Sequence, residues 1–69
     1  MTKIQIILNG EEIKISPNKT ISDLILDFEL DIKKIAIEKD LEIIDPQNFS
    51  KIIISEGSRI EIVHFIGGG

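Results

Sequence analysis

Apolar residues recur at every second position near the start of the chain, at Ile4, Ile6 and Leu8, and again at Ile13 and Ile15, where they alternate with Glu12 and Lys14. A period of two puts one set of side chains on one face of a strand. Asn9-Gly10 separates the two runs, and a type I′ turn, with positive φ at both central residues, favours that dipeptide. The pattern predicts a β-hairpin. After Pro17 the period lengthens: Ile21, Leu24, Ile25 and Phe28 fall at i, i+3, i+4 and i+7 and make one apolar stripe on a helix. Thr20 is placed as its N-cap, with a hydroxyl that accepts from the free N–H groups of the first turn. Asp23 stands in the capping-box position at the positive end of the helix dipole. The helix is expected to end near Phe28 to Leu30, with Glu29 to Lys34 as a charged connection.

Ile35-Ala36-Ile37 begins a third strand, and Leu41 to Ile44 a short fourth, separated by Glu38-Lys39-Asp40 and closed by Asp45-Pro46. Gln47-Asn48-Phe49-Ser50 reads as a single turn whose aromatic ring plugs the core. Ile52 to Ile54, Glu56-Gly57 and Ile60 to Phe65 then read as short strand, tight turn and last strand. A hairpin, a helix and several short strands form the α+β pattern of the β-grasp (ubiquitin-like) fold, a mixed four- to five-stranded sheet with one main helix packed across one face. In that order the first and last strands lie side by side and parallel at the sheet centre. The domain is expected over residues 1–66, and residues 67–69 as a flexible glycine tail leaving the end of a rigid strand.

Length and charge narrow the function. With 69 residues there is room for one small domain, which buries only about 60% of the surface its unfolded chain exposes. Isoleucine dominates the apolar set, and its stiff β-branched side chain suits a pleated surface. The chain has no cysteine, so thiolate metal sites, disulfides and thiol nucleophiles are excluded. A net charge of −4 and a pI near 4.8 argue against nucleic acid as a partner, because phosphate neutralisation needs clustered Lys and Arg. The apolar runs are far shorter than the roughly 20 residues of a membrane helix, and Met1-Thr2-Lys3-Ile4 meets a polar residue at Gln5, unlike a secretory signal. The chain reads as a mature cytoplasmic protein with neither nucleic acid nor membrane as partner.

His64 is the one imidazole, and a hydrolytic triad would require it beside Ser16, Ser22, Ser50, Ser55 or Ser58 with a carboxylate behind it. A histidine on a strand or sheet margin is the simpler reading. The acidic residues are spread as a solvated face without an EF-hand or other dense ligand run, so no metal site is expected. Gly67-Gly68-Gly69 does not read as a phosphate loop, since no helix N-terminus follows to converge on an anion. It reads either as a frayed end or as an arm without Cβ atoms that carries its carboxylate into a narrow channel. At roughly 3.3–3.6 Å per residue the arm reaches about 10 Å.

The length, the Ile-rich hairpin, the single helix and the Ala36-Ile37 strand go together with Glu56-Gly57-Ser58, which leads into Arg59-Ile60-Glu61-Ile62-Val63-His64-Phe65-Ile66 and Gly68-Gly69. In these features the chain resembles the ThiS family, bacterial sulfur carriers of thiamin biosynthesis, over essentially its whole length. It departs from the family where Asp40-Leu41 replaces a common Asn turn and Phe49 a common tryptophan. The resemblance implies a protein that is no enzyme, with no catalytic residue and no cofactor or metal of its own. An E1-like adenylyltransferase of the ThiF type would use ATP and Mg²⁺ to adenylate the Gly69 carboxylate, and a sulfur donor protein would supply the sulfur of a thiocarboxylate. A thiazole synthase of the ThiG type would receive that sulfur, with Gly67 and Gly68 giving the tail access. Alternation along the last strand sends Ile60 and Ile62 to the core and Glu61, Val63 and Phe65 outward. Glu61, Val63, Phe65 and Ile66 are thus the candidate partner-binding residues, the alternative being that Phe65 is covered by the neighbouring hairpin or by a crystal or homodimer contact. Three other readings stay open: a molybdopterin-synthase small-subunit type of sulfur carrier, a ubiquitin-type protein modifier, and a plain β-grasp interaction domain whose tail is irrelevant.

Overall fold

The computed structural model describes residues 2–65. Its strands are β1 (Ile4–Leu8), β2 (Glu11–Ile15), β3 (Ile35–Lys39), β4 (Glu42–Ile43) and β5 (Arg59–His64), and its helix is α1 (Ile21–Asp27). They form one five-stranded sheet in the order β2-β1-β5-β3-β4. β1 runs antiparallel to β2 and parallel to β5, while β3 is antiparallel to both β5 and β4. The last strand therefore occupies the middle of the sheet beside the first, as the β-grasp order predicts.

Alternation sorts the two faces. Ile6, Leu8, Ile15, Ile35, Ile37 and Ile60 are buried in one core with Ile21, Leu24 and Ile25 of α1, and Phe49 and Ile54 complete it from the loops. Among the described residues, Ser58 is the one polar residue buried with them.

The N-terminus of α1 is fully provided with acceptors. Ile21 N–H donates to the Ile52 carbonyl, Ser22 N–H to that of Phe49, Asp23 N–H to the Thr20 hydroxyl and Leu24 N–H to the Thr20 carbonyl. The Asp23 carboxylate accepts in return from the Thr20 N–H, completing the expected capping box. That bond, reinforced by the Thr20 hydroxyl, holds the Asp23 carboxyl below its ordinary value. At the other end Leu30 N–H donates to the Ile25 carbonyl and Glu29 N–H to that of Leu26, the two bonds of a Schellman motif. Glu29, with φ of +54°, holds the left-handed position where glycine is usual.

Several expected elements are corrected. Phe28 is not on the buried stripe: it is the C-cap residue and is 47% exposed, although its N–H still makes the last helical bond, to the Leu24 carbonyl, before the Schellman turn. Ile52 to Ile54 make no strand. The Ile52 carbonyl accepts from Ile21 N–H of α1, Ile54 N–H donates to the Lys19 carbonyl just ahead of the helix and Ile52 N–H to the Asn48 carbonyl, leaving one antiparallel bridge between Thr20 and Ile53. Leu41 lies in a turn rather than in the fourth strand, which is shortened to Glu42–Ile43. β3 extends to Lys39, and β5 runs over Arg59–His64. Phe49 does plug the core, at 1% exposure, behind a 3₁₀ turn over Pro46–Asn48. Residues 66–69, including the glycine tail, lie outside the described residues.

Candidate functional site

The candidate site is the end of β5 and the sheet face opposite α1. β5 owes its position to backbone ladders on both sides and to two side chains that lengthen them. On the β1 side, Ile7 N–H donates to the Ser58 carbonyl at 2.9 Å and Asn9 N–H to that of Ile60 at 2.9 Å. The Asn9 Oδ1 then accepts from Ile62 N–H at 2.8 Å, adding a rung beyond the end of β1. On the β3 side, Asp40 N–H donates to the Arg59 carbonyl at 2.8 Å and Asp40 Oδ1 accepts from Arg59 N–H at 2.9 Å. The Arg59 N–H, aided by the Lys39 ammonium, holds the Asp40 carboxyl below its ordinary value.

Ahead of β5, the Glu56-Gly57 turn is fixed to β1. Gly57 N–H donates to the Gln5 carbonyl at 2.8 Å, and Gln5 N–H donates to Glu56 Oε2 at 3.0 Å. Gly57 has φ of +82°, which the turn requires and a side chain would strain. Beyond β5, Phe65 N–H donates to the Lys34 carbonyl at 2.8 Å, so the strand is held up to the last described residue.

β5 presents its side chains as alternation expects. Ile60 is fully buried and Ile62 packs partly buried against the core, while Glu61 is exposed, Val63 is 56% exposed and Phe65 is 55% exposed. The neighbouring hairpin does not cover Phe65. Strand register adds residues that the single-strand pattern did not single out. Ala36 stands opposite Val63, Glu38 opposite Glu61 and Ile43 opposite Glu38, all on this same face. The face thus carries two facing carboxylates and an apolar strip toward the chain's end. Like charges directly opposite each other cost a sheet a few tenths of a kcal/mol up to about 1 kcal/mol. Period two along β3 already put Ala36 and Glu38 on one face; only the pairing shows which β5 residues they meet.

His64 and the serines that precede β5 lie at opposite ends of that strand. His64 is exposed on β5 opposite Ile35. Ser58 and Ser55 instead close the turn before β5, their hydroxyl oxygens 3.2 Å apart, with Ser58 Oγ accepting from Ser55 N–H. Among the described residues no three His, Asp or Glu side chains gather as a metal ion would require. No helix there is long and apolar enough to cross a membrane. Ile66, Gly67, Gly68 and Gly69 belong to the candidate site by sequence and lie outside the described residues.

The ThiS family model matches residues 3–69. The chain belongs to the ThiS family. The sulfur carrier protein ThiS of Bacillus subtilis is 36% identical over 63 residues, spanning 90% of this chain and 96% of that protein. A thiazole synthase of Paramagnetospirillum magneticum is 35% identical over 66 residues, which are 96% of this chain and 20% of that protein. The chain therefore spans about one fifth of the length of that relative. The crystal structure of a thiamine biosynthesis protein (ThiS) from Geobacter metallireducens superposes with a TM-score of 0.84, covering 96% of this chain and all of that one. At 17% identity that likeness shows the fold, the ThiS β-grasp, and agrees with the sheet order described above.

Proposed function

We infer that this ThiS-family chain is a sulfur carrier of thiamin biosynthesis, a protein that its partner enzymes modify and that catalyses nothing itself. The observation that carries the reading is the family match running through residue 69, together with the identity to a curated sulfur carrier along 96% of that carrier's length. These matches favour thiamin over the molybdopterin pathway and over a modifier or a plain interaction domain.

The mechanism follows from carboxylate chemistry. A carboxylate resists nucleophiles because its charge is delocalised and its leaving group would be oxide. An E1-like adenylyltransferase of the ThiF type, which binds ATP and Mg²⁺, joins the Gly69 carboxylate to AMP and releases pyrophosphate. A reduced sulfur nucleophile from a donor protein then attacks the carbonyl and AMP departs, leaving a thiocarboxylate. Gly67 and Gly68, without Cβ atoms, let this terminus enter a narrow active site. A thiazole synthase takes the sulfur, and the resemblance of this chain to one fifth of such a synthase supports that partner.

Glu61, Val63, Phe65 and Ile66 form the docking surface that accompanies the tail. The exposed Val63 and Phe65 supply apolar contact, and the Glu38–Glu61 pair supplies charge for a basic partner surface, which chiefly raises the association rate. Phe65→Asp weakens binding to the adenylyltransferase and leaves the circular-dichroism spectrum unchanged; a variant that loses the folded signal would place Phe65 in the core. The reading itself is tested by intact mass after incubation with the adenylyltransferase, ATP, Mg²⁺ and sulfide. An oxygen-to-sulfur mass increase is expected in the full chain and not in a version lacking Gly69. No increase in either would leave the tail without this role.

A further inference from the structure

The hairpin between β3 and β4 holds the least comfortable residue among those described. Asp40 and Leu41 form its two-residue turn with φ of +50° and +73°. The left-handed region costs an ordinary L-residue roughly 1–2 kcal/mol, and a bulky apolar side chain has no local hydrogen bond to offset it. Leu41 recovers nothing by burial, since it is 79% exposed, and Ile43, two residues on, is also 79% exposed. The turn thus holds an apolar side chain in water at a position where glycine or asparagine would be more stable.

Two observations say what meets it. Ile43 and Phe65 both line an apolar groove of about 520 Å³ whose walls include Ile44, Pro46, Ala36 and Ile32. The groove therefore links Ile43 of the hairpin to Phe65, the last described residue before the glycine tail in sequence, so a protein that receives the tail can cover both. The Paramagnetospirillum relative carries a segment like this chain within a thiazole synthase several times as long. In a single polypeptide, carrier-like segment and enzyme meet at high effective concentration.

We propose that Leu41 and Ile43 form an apolar prong of the β3–β4 hairpin that docks on the thiazole synthase, a contact that matters more for that enzyme than for adenylation. This inference rests on the sulfur-carrier reading above. It predicts opposite signs for one substitution. Leu41→Gly relieves the turn, so the isolated protein unfolds at a higher urea concentration, yet its affinity for the synthase falls about tenfold, the effect of removing one well-buried apolar anchor. Ile43→Ser, which leaves the turn untouched, lowers the affinity as well.

The experiment measures binding of wild type, Leu41→Gly and Ile43→Ser to purified thiazole synthase by calorimetry, beside urea unfolding and sulfur loading by the adenylyltransferase. Weaker synthase binding by both variants, with a stabilised Leu41→Gly and a loss of loading clearly smaller than the loss of binding, supports the prong. Unchanged synthase affinity in both variants overturns it, as does a loss of loading that matches the loss of binding, since the adenylyltransferase would then be the occupant. A wild type that loads and binds while the variants behave like it leaves the carrier reading intact; a wild type that cannot be loaded at all overturns that reading and the prong with it.

Discussion

The two hairpins of the sheet solve one problem with different residues. Asn9-Gly10 joins β1 to β2 and Asp40-Leu41 joins β3 to β4, each with positive φ at both turn positions, the signature of type I′. In both, the first turn residue turns its side-chain oxygen onto β5: Asn9 accepts from Ile62 N–H and Asp40 from Arg59 N–H. The central strand is thereby clasped from both flanks by residues that also make the turns. The difference lies in the second position, glycine in one and leucine in the other, and in the acceptor, a neutral amide in one and a carboxylate in the other. The first hairpin is built for stability. The second gives up stability at Leu41 and makes its clasp sensitive to acid.

The largest effect expected from this comparison is at Asn9. Asn9→Ala removes both the residue type that tolerates the left-handed turn and the acceptor of Ile62 N–H, and it should cost about 2 kcal/mol in urea unfolding. A loss below a few tenths of a kcal/mol would show that the clasp contributes nothing. Next come two substitutions that exchange the characters of the turns. Gly10→Leu should destabilise by roughly 1–2 kcal/mol through strain alone, since a Cβ there meets open space. Leu41→Gly should stabilise by about 1 kcal/mol for the converse reason. Equal effects of the same sign would contradict the strain assigned to Leu41.

The smallest effect is the acid response. The Asp40 carboxyl titrates below its unfolded value because Arg59 N–H and Lys39 bind its charged form. The stability it confers is therefore complete above the ordinary aspartate range and declines as pH falls through the folded value. Asp23 at the helix cap behaves the same way. Asp40→Asn keeps an acceptor that cannot titrate, so its unfolding midpoint should fall less between neutral pH and about pH 3 than that of wild type. A midpoint curve parallel to wild type would remove Asp40 from the acid response.

These turns also show where the sequence was readable. Asn9-Gly10 was legible because its residues are those the turn geometry selects, and the capping box of Thr20 and Asp23 for the same reason. The residues of Asp40-Leu41 gave no such signal, its turn being marked only by the family resemblance, and the left-handed Glu29 gave none at all, since tertiary context imposes a conformation that neither Leu nor Glu prefers. Ile52 to Ile54 misled because a β-branched run has strand propensity wherever it stands, and only the fold shows its backbone bonded to Lys19, Ile21 and Asn48 instead of to a neighbouring strand. On the candidate site, alternation gave the outward set Glu61, Val63 and Phe65 correctly. Ala36, Glu38 and Ile43 joined them only through register, which a local pattern does not contain.

The central claim is that this chain carries sulfur on its terminal glycine and hands it to thiazole formation. The most direct measurement loads the protein with radiolabelled sulfide through the adenylyltransferase, removes free sulfide, and adds thiazole synthase with its small-molecule substrates for a single turnover. The account predicts that label leaves the carrier and appears in the thiazole in equal amount, with the carrier returned to its carboxylate mass. Label that stays on the protein, or a thiazole formed with unlabelled sulfur while the thiocarboxylate persists, would contradict it.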